Sequence, residues 1–295
     1  MAGGSLGSLI PPSVIMMLYS LVARQSVGQM FMGGILPGLV LSALYCIYIA
    51  IRCVIRPKMG PALPPEARGT WKEKFVSLRG SILPVALIVV VLGSIFMGLA
   101  TPSEASAIGA IGAFICAAIY RKLNWTVVKE SVYATARLFG VIFWIIIGAE
   151  CFTRFYLSCG ASQLISGLFL EWEVNRWFIL IGMQISLILL GMIMEEYAIV
   201  MVVAPIYVPI IMALNFNPLW FGILFIVNTQ IAVLTPPYGF ALFYMRAIIP
   251  PGMTMGDLYH AIVPFVGLQI IGLAMVMAFS QLALWLPGMM FRPGG

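Results

Sequence analysis

The chain is 295 residues long, 62% hydrophobic and only 9% charged, with a formal net charge of +6. A soluble domain carries about 25% charged residues, so this composition excludes a water-soluble protein and points to an integral membrane one, as does a mean hydropathy of +1.07. The excess positive charge is not a nucleic-acid patch. Arg52, Arg56, Lys58, Arg68, Lys72, Lys74 and Arg79 gather on one hydrophilic linker and its edges, and Arg121, Lys122, Lys129 and Arg137 on a later polar stretch, the distribution of cytoplasmic loops under the positive-inside rule.

In chain order, apolar segments are measured against the roughly 20 residues needed to cross a bilayer. Residues 12–23 and 30–55 supply the first spanning material. Residues 56–80 hold Pro57, Pro61, Pro64 and Pro65 followed by Thr70-Trp71-Lys72-Glu73-Lys74, and read as a linker with a short surface helix before the next span. Residues 81–100 cross and 102–120 return, which places the two basic stretches on one side. Residues 138–148 are apolar but are followed by Glu150, Arg154 and Ser158-Cys159-Gly160, and the short segment 162–170 ends at Glu171-Trp172-Glu173. Neither piece spans comfortably, so the pair is expected to form a re-entrant hairpin. Spans follow at 177–194, 198–214 and 219–234, then a segment at 238–249 and a last span at 261–286.

Two stretches repeat each other. Leu6-Gly7-Ser8-Leu9-Ile10-Pro11-Pro12 and Ile231-Ala232-Val233-Leu234-Thr235-Pro236-Pro237 are both apolar segments broken by a Pro-Pro step. Proline removes a backbone donor, and lipid cannot replace it, so such a break survives at membrane depth only inside protein or beside a water-filled cavity. Matched interruptions in two halves of a chain point to a transporter's binding site. Asn228, Thr229, Gln230 and Thr235 around the second break, and Ser5, Ser8 and Ser13 around the first, offer hard oxygens of the kind that suit Na⁺.

Other polar residues divide into functional and structural readings. Glu195 and Glu196 interrupt a nearly uncharged run. They mark either a cation or proton site or a helix break solvated at an interface, and as sequence neighbours only one of them can face a given site. Thr101-Pro102-Ser103-Glu104 has the spacing of a capping box. Glu150 and Arg154 stand i, i+4 and are expected to pair. Arg246 either snorkels to the interface or anchors an anionic group. The five cysteines are scattered without a Cys-x-x-Cys pair and His260 is the only histidine, which leaves no material for a metal cluster or a Ser-His-Asp triad. The N-terminus has no basic n-region ahead of an apolar core with a cleavage site, so it is not read as a signal peptide.

Several motifs in order resemble one family. They are Ala2-Gly3-Gly4-Ser5-Leu6-Gly7 with Ile10-Pro11-Pro12-Ser13, Thr101-Pro102-Ser103-Glu104-Ala105, Leu190-Gly191-Met192 to Glu195, Pro205 with Pro209, and Asn228 to Leu234-Thr235-Pro236-Pro237-Tyr238-Gly239. With these the chain resembles the large permease subunit of TRAP transporters (tripartite ATP-independent periplasmic), the DctM type. The resemblance implies an all-α polytopic membrane protein with the elevator fold and inverted repeats of the ion-transporter superfamily. It would belong to the bacterial inner membrane and would not be an enzyme. It would carry a small organic anion inward with Na⁺ and no organic cofactor, alongside a small membrane subunit and a periplasmic substrate-binding protein.

Carried onto this sequence, the Na⁺ candidates are Gly7, Pro11, Pro12, Glu195, Asn228, Thr235, Pro236 and Gly239, with Glu195 where the family typically shows Asp. Ser13, Tyr238 and Arg246 are the substrate candidates. The implied organisation is a remnant of the first repeat over 1–55, the basic linker over 56–80, a second repeat with hairpin and broken helix over 81–287, and a tail over 288–295. Most of the first repeat is expected to be missing. The competing readings are a channel or ATP-driven permease component, for which no Gly-Lys-Ser/Thr nucleotide motif is present, and an inactive fragment of such a permease.

Overall fold

In the computed structural model the residues described are 1–57, 60–61, 64, 69–160, 167, 175–235, 242, 245 and 254–290, with the side chains of 77, 149, 153, 156 and 157 left aside. Among them every regular element is helical. The order is α1 (Ala2–Ser5), a 3₁₀ turn (Leu6–Ser8), α2 (Val14–Ala23), α3 (Val27–Ile55), α4 (Trp71–Phe96), α5 (Pro102–Ile119) and α6 (Trp125–Ser158). Then come α7 (Arg176–Gly191), α8 (Glu196–Ala213), α9 (Pro218–Leu234), α10 (Met255–Ala278) and α11 (Gln281–Gly288). Among the described residues, 6 helices are long and apolar enough to cross a membrane.

The chain divides into two compact units, the first built from Met1–Ser42 with Leu138–Met289. Helix α9 is the centre of this unit. Every residue from Leu219 to Ala232 is buried, and α9 packs on α2, α7, α8, α10 and α11. At 17 residues it is about 25 Å long, short of the ~30 Å hydrocarbon core. A helix of that length, enclosed by protein on all sides, can end inside the membrane because its last carbonyls meet protein groups rather than lipid. Small residues allow the close crossings. A Cβ on Gly222 would collide with the Tyr19 ring, one on Gly34 with Leu9 O and Met16, and one on Gly191 with Ala232, the packing device of membrane helices. Two hydrogen bonds tie α9 at its head: Tyr19 Oη donates to Pro218 O at 3.0 Å, and Trp220 Nε1 donates to Val276 O at 2.9 Å.

The second unit is built on Ala43–Arg137. Here α4 packs on α5, with Leu87 closing on Gly112 and Tyr120 Oη donating to Gly80 O at 2.9 Å. Their remaining faces present exposed Ile82, Val89, Ile111 and Ile115, the surface a bilayer covers. Both helices begin on complete capping boxes: Thr70 with Glu73, and Thr101 with Glu104. The second confirms the sequence expectation, with Thr101 N donating to Glu104 Oε2 at 2.7 Å and Glu104 N donating to Thr101 Oγ1 at 3.3 Å. Replacing Thr101 with Ala is expected to lower stability by about 1 kcal/mol, read as a lower melting temperature in detergent; an unchanged melting temperature would show that the start of α5 is held by packing instead.

Three segments differ from the sequence reading. Residues 81–100 were expected as one span after a separate surface helix, yet α4 runs unbroken from Trp71 because the Thr70 box starts the helix there. Residues 138–148, expected as one arm of a hairpin, lie within the 34-residue α6. The Glu150–Arg154 pair that suggested an interruption sits on that helix's exposed surface, joined at 2.9 Å, and the chain turns only at Gly160, with φ 69. The other arm, 162–170, lies outside the described residues apart from Gly167, as does the segment 238–249 apart from Leu242 and Met245. The last span, 261–286, begins earlier on a Thr254–Asp257 capping box and divides at Phe279, whose φ −116 and ψ 78 leave the helical region.

Candidate functional site

The first break is repaired from within. After the 3₁₀ turn the chain leaves regular structure, passes the cis Pro11–Pro12 peptide, and re-enters a helix at Ser13, the N-cap of α2. Three hydroxyls stand in for the missing ladder donors. Ser5 Oγ donates to Ala2 O at 2.9 Å, Ser8 Oγ to Ser5 O at 2.8 Å, and Ser13 Oγ to Ser8 O at 2.5 Å. Ser13 Oγ also accepts from Met16 N at 3.3 Å. From α10, Gln269 Nε2 donates to Ser5 Oγ at 3.3 Å. The sequence reading passed over Gln269, although a lone amide in a long apolar span is the signal for a polar interhelical contact.

At the second break α9 stops at Leu234, and Thr235 turns extended at φ −89 and ψ 129. Thr235 Oγ1 donates to Ile231 O at 2.6 Å. Pro236, Tyr238, Gly239 and Arg246, all named as site candidates, lie outside the described residues.

One cavity of about 500 Å³ joins parts of both breaks. It is lined by Gly7, Ser8, Pro12 and Ser13 from the first, by Glu196 and Tyr197 at the head of α8, and by Gln230 and Val233 of α9. The two neighbouring glutamates divide as the helix geometry requires. Glu195 is the N-cap of α8, its carboxylate accepting from Tyr197 N at 3.2 Å, and Glu196 lines the cavity.

Asn228 faces elsewhere. Two residues along an α-helix is a rotation of about 200°, so when Gln230 faces the cavity Asn228 points into the bundle. There it is fully buried, and its Nδ2 donates to Gln184 O at 2.8 Å and Gln184 Oε1 at 2.7 Å. Its Oδ1 has no partner among the described residues. A buried amide oxygen left unpaired is costly, and it is the kind of hard ligand an alkali cation takes. Gln184, like Gln269, was not singled out from sequence. Among the described residues no group of three or more His, Cys, Asp or Glu could hold a metal ion, so the donors present are hydroxyl, carbonyl and amide oxygens with the two glutamates.

Comparison with known proteins points to one family. The family described as "Tripartite ATP-independent periplasmic transporter, DctM component" matches residues 1–282. The chain is similar to a C4-dicarboxylate TRAP transporter large permease protein of Pseudomonas aeruginosa, 33% identical over 96% of this chain and 65% of the relative. It is 31% identical to a sialic acid TRAP transporter large permease protein of Vibrio cholerae, over 96% of this chain and 65% of that one. An ectoine TRAP transporter large permease protein of Halomonas elongata is 26% identical over the same shares, 96% and 65%. The chain therefore spans about two thirds of the length of these relatives. From a match over nearly all of its residues and from its membrane-spanning helices, the chain belongs to the DctM component family of the tripartite ATP-independent periplasmic transporters, a family of transporters rather than enzymes.

Proposed function

We propose that this chain is the large permease subunit of a TRAP system in the bacterial inner membrane. It moves a small organic carboxylate inward with Na⁺ by an elevator motion, and it works with a small membrane subunit and a periplasmic substrate-binding protein. The observation that carries this reading is the meeting of both broken segments at one cavity within a single compact unit. Broken helices around a common site are how transporters present backbone carbonyls to a coupling ion and helix ends to a substrate. The unit holding the site is the part an elevator would carry.

In this reading Gly7, Pro11 and Pro12 of the first break, and Glu195, Asn228, Thr235, Pro236 and Gly239 at and near the second, supply the Na⁺ ligands. Ser13, Tyr238 and Arg246 meet the substrate. The named substrates of the relatives, a C4-dicarboxylate, sialic acid and ectoine, all carry a carboxylate, which supports that class.

The test is uptake into proteoliposomes by the full-length permease with its small membrane subunit and binding protein, offering succinate, sialic acid and ectoine with and without an inward Na⁺ gradient. Na⁺-driven accumulation of one of them is expected, and uptake indifferent to Na⁺ would remove the coupling. Within the same assay Thr235→Val is expected to raise the Na⁺ concentration for half-maximal uptake about threefold or more, equivalent to roughly 0.6 kcal/mol of lost binding. The valine keeps the shape at the end of α9 and loses only the hydroxyl oxygen. An unchanged Na⁺ requirement would remove that oxygen from the ion site.

A further inference from the structure

The cavity between the breaks brings two polar side chains together, Glu196 and Gln230. Gln230 is 1% exposed and lines it, and neither its Oε1 nor its Nε2 has a partner among the described residues. Burying both ends of a carboxamide unpaired costs several times the gain from an ordinary hydrogen bond, so a polar group that enters the cavity gains by meeting this side chain. Glu196 lines the same space, and among the described residues the ion pair found joins Glu150 to Arg154 instead. The serine hydroxyls add no donors. Ser5, Ser8 and Ser13 have each committed their proton to a backbone carbonyl, which leaves only oxygen lone pairs toward the cavity. The cavity thus offers the Glu196 carboxylate, the unpaired Gln230 amide and hydroxyl lone pairs, with Met1, Gly4 and Tyr197 lining it as well.

Taking this cavity as the substrate site named above, we propose that it receives the ammonium end of a zwitterionic carboxylate, with Glu196 and Gln230 Oε1 as its acceptors. A primary ammonium brings three donors and one positive charge, matching the Glu196 carboxylate and the Gln230 amide oxygen together. A second carboxylate in that position would bring a like charge against Glu196. Glu196 and Gln230 are then specificity-determining residues that select among organic carboxylates by the group at the far end from the carboxyl.

The test compares 4-aminobutyrate with succinate, two flexible four-carbon probes that differ at one end, titrated calorimetrically into the purified full-length permease in detergent with Na⁺. The wild type is expected to bind 4-aminobutyrate about tenfold or more tightly than succinate, the ratio one charge-assisted hydrogen bond supports. Glu196→Gln is expected to bring the two within about twofold, and Glu196→Asp to keep the preference. Each variant is first checked for monodisperse elution and an intact melting transition. Should Glu196→Gln fail that check, Gln230→Met decides, with an expected loss of about fivefold or more in 4-aminobutyrate affinity. Equal affinities in the wild type, tighter succinate binding, or a preference unmoved in the folded variant would each overturn the proposal and leave the cavity as a substrate site. Binding of neither probe would overturn the substrate-site reading and this one with it.

Discussion

Replacing Asn228 with Leu is expected to raise the Na⁺ concentration for half-maximal uptake about tenfold or more, and to lower stability by about 1–3 kcal/mol. The two effects have different origins, and a second substitution separates them. Asn228 Nδ2 donates to Gln184 Oε1 at 2.7 Å. A leucine at 228 removes that donor and leaves Gln184 with both ends of its amide buried and unpaired, Nε2 being unpaired already. Replacing both partners by apolar residues of similar size removes the penalty, so Gln184→Leu combined with Asn228→Leu is expected to recover much of the melting temperature. It is not expected to recover Na⁺ dependence, because the unpaired Oδ1 of Asn228 is the atom assigned to the ion. Full recovery of Na⁺-driven uptake in the double variant would show the pair to be structural only.

A large effect on folding is expected at Gly222. A Cβ there would collide with the Tyr19 ring and with Met30 Cε, the latter at 2.6 Å. Neither neighbour has room to retreat: Tyr19 and Met30 are both 0% exposed, Tyr19 Oη is held by Pro218 O, and its ring packs against Phe225 at 5.6 Å between centroids. Overpacking costs about 1–3 kcal/mol and sometimes more. Gly222→Val, which adds a branched side chain at a helix crossing with no free volume, is expected at or beyond the top of that range. The readout is the yield of monodisperse protein and its melting temperature, with Gly182→Val as a control on α7, where a Cβ meets nothing within 4 Å. Equal behaviour of the two variants would mean that the α2–α9 crossing is not tightly packed.

What was legible in the sequence was local chemistry. The two Pro-Pro steps announce their breaks because proline acts through its own missing N–H. The Thr101–Glu104 box and the Glu150–Arg154 pair follow from spacings of three and four residues on a helix. Features that depend on the phase of a helix, or on what lies across the bundle, were hidden. Which of Glu195 and Glu196 meets the cavity depends on the residue at which α8 begins, since a shift of one position rotates every side chain by about 100°. The sequence reading favoured Glu195 as the residue facing a site; the structure sets Glu196 toward the cavity and Glu195 at the cap. Asn228 and Gln230 were read as one polar cluster because they are neighbours in sequence, yet the helix sends them to different faces. Gln184 meets Asn228 across 44 residues of chain, a pairing that no local pattern records. The division at Phe279 carries no proline or glycine to announce it, because only the packed bundle sets that backbone excursion.

The shortness of α9 has a consequence for the membrane around it. A helix in contact with lipid must tilt, bend or deform the bilayer when its length and the hydrocarbon thickness disagree. With its residues from Leu219 to Ala232 buried in protein, α9 has no such thickness to match. Its end, where the second break opens, is positioned by Gly191 against Ala232 and by the neighbouring helices rather than by the headgroup plane. Bilayer thickness can then reach this part of the protein only by moving the helices that surround α9. Reconstitution into lipids of differing chain length is therefore expected to alter the rate of transport before it alters the affinity for Na⁺.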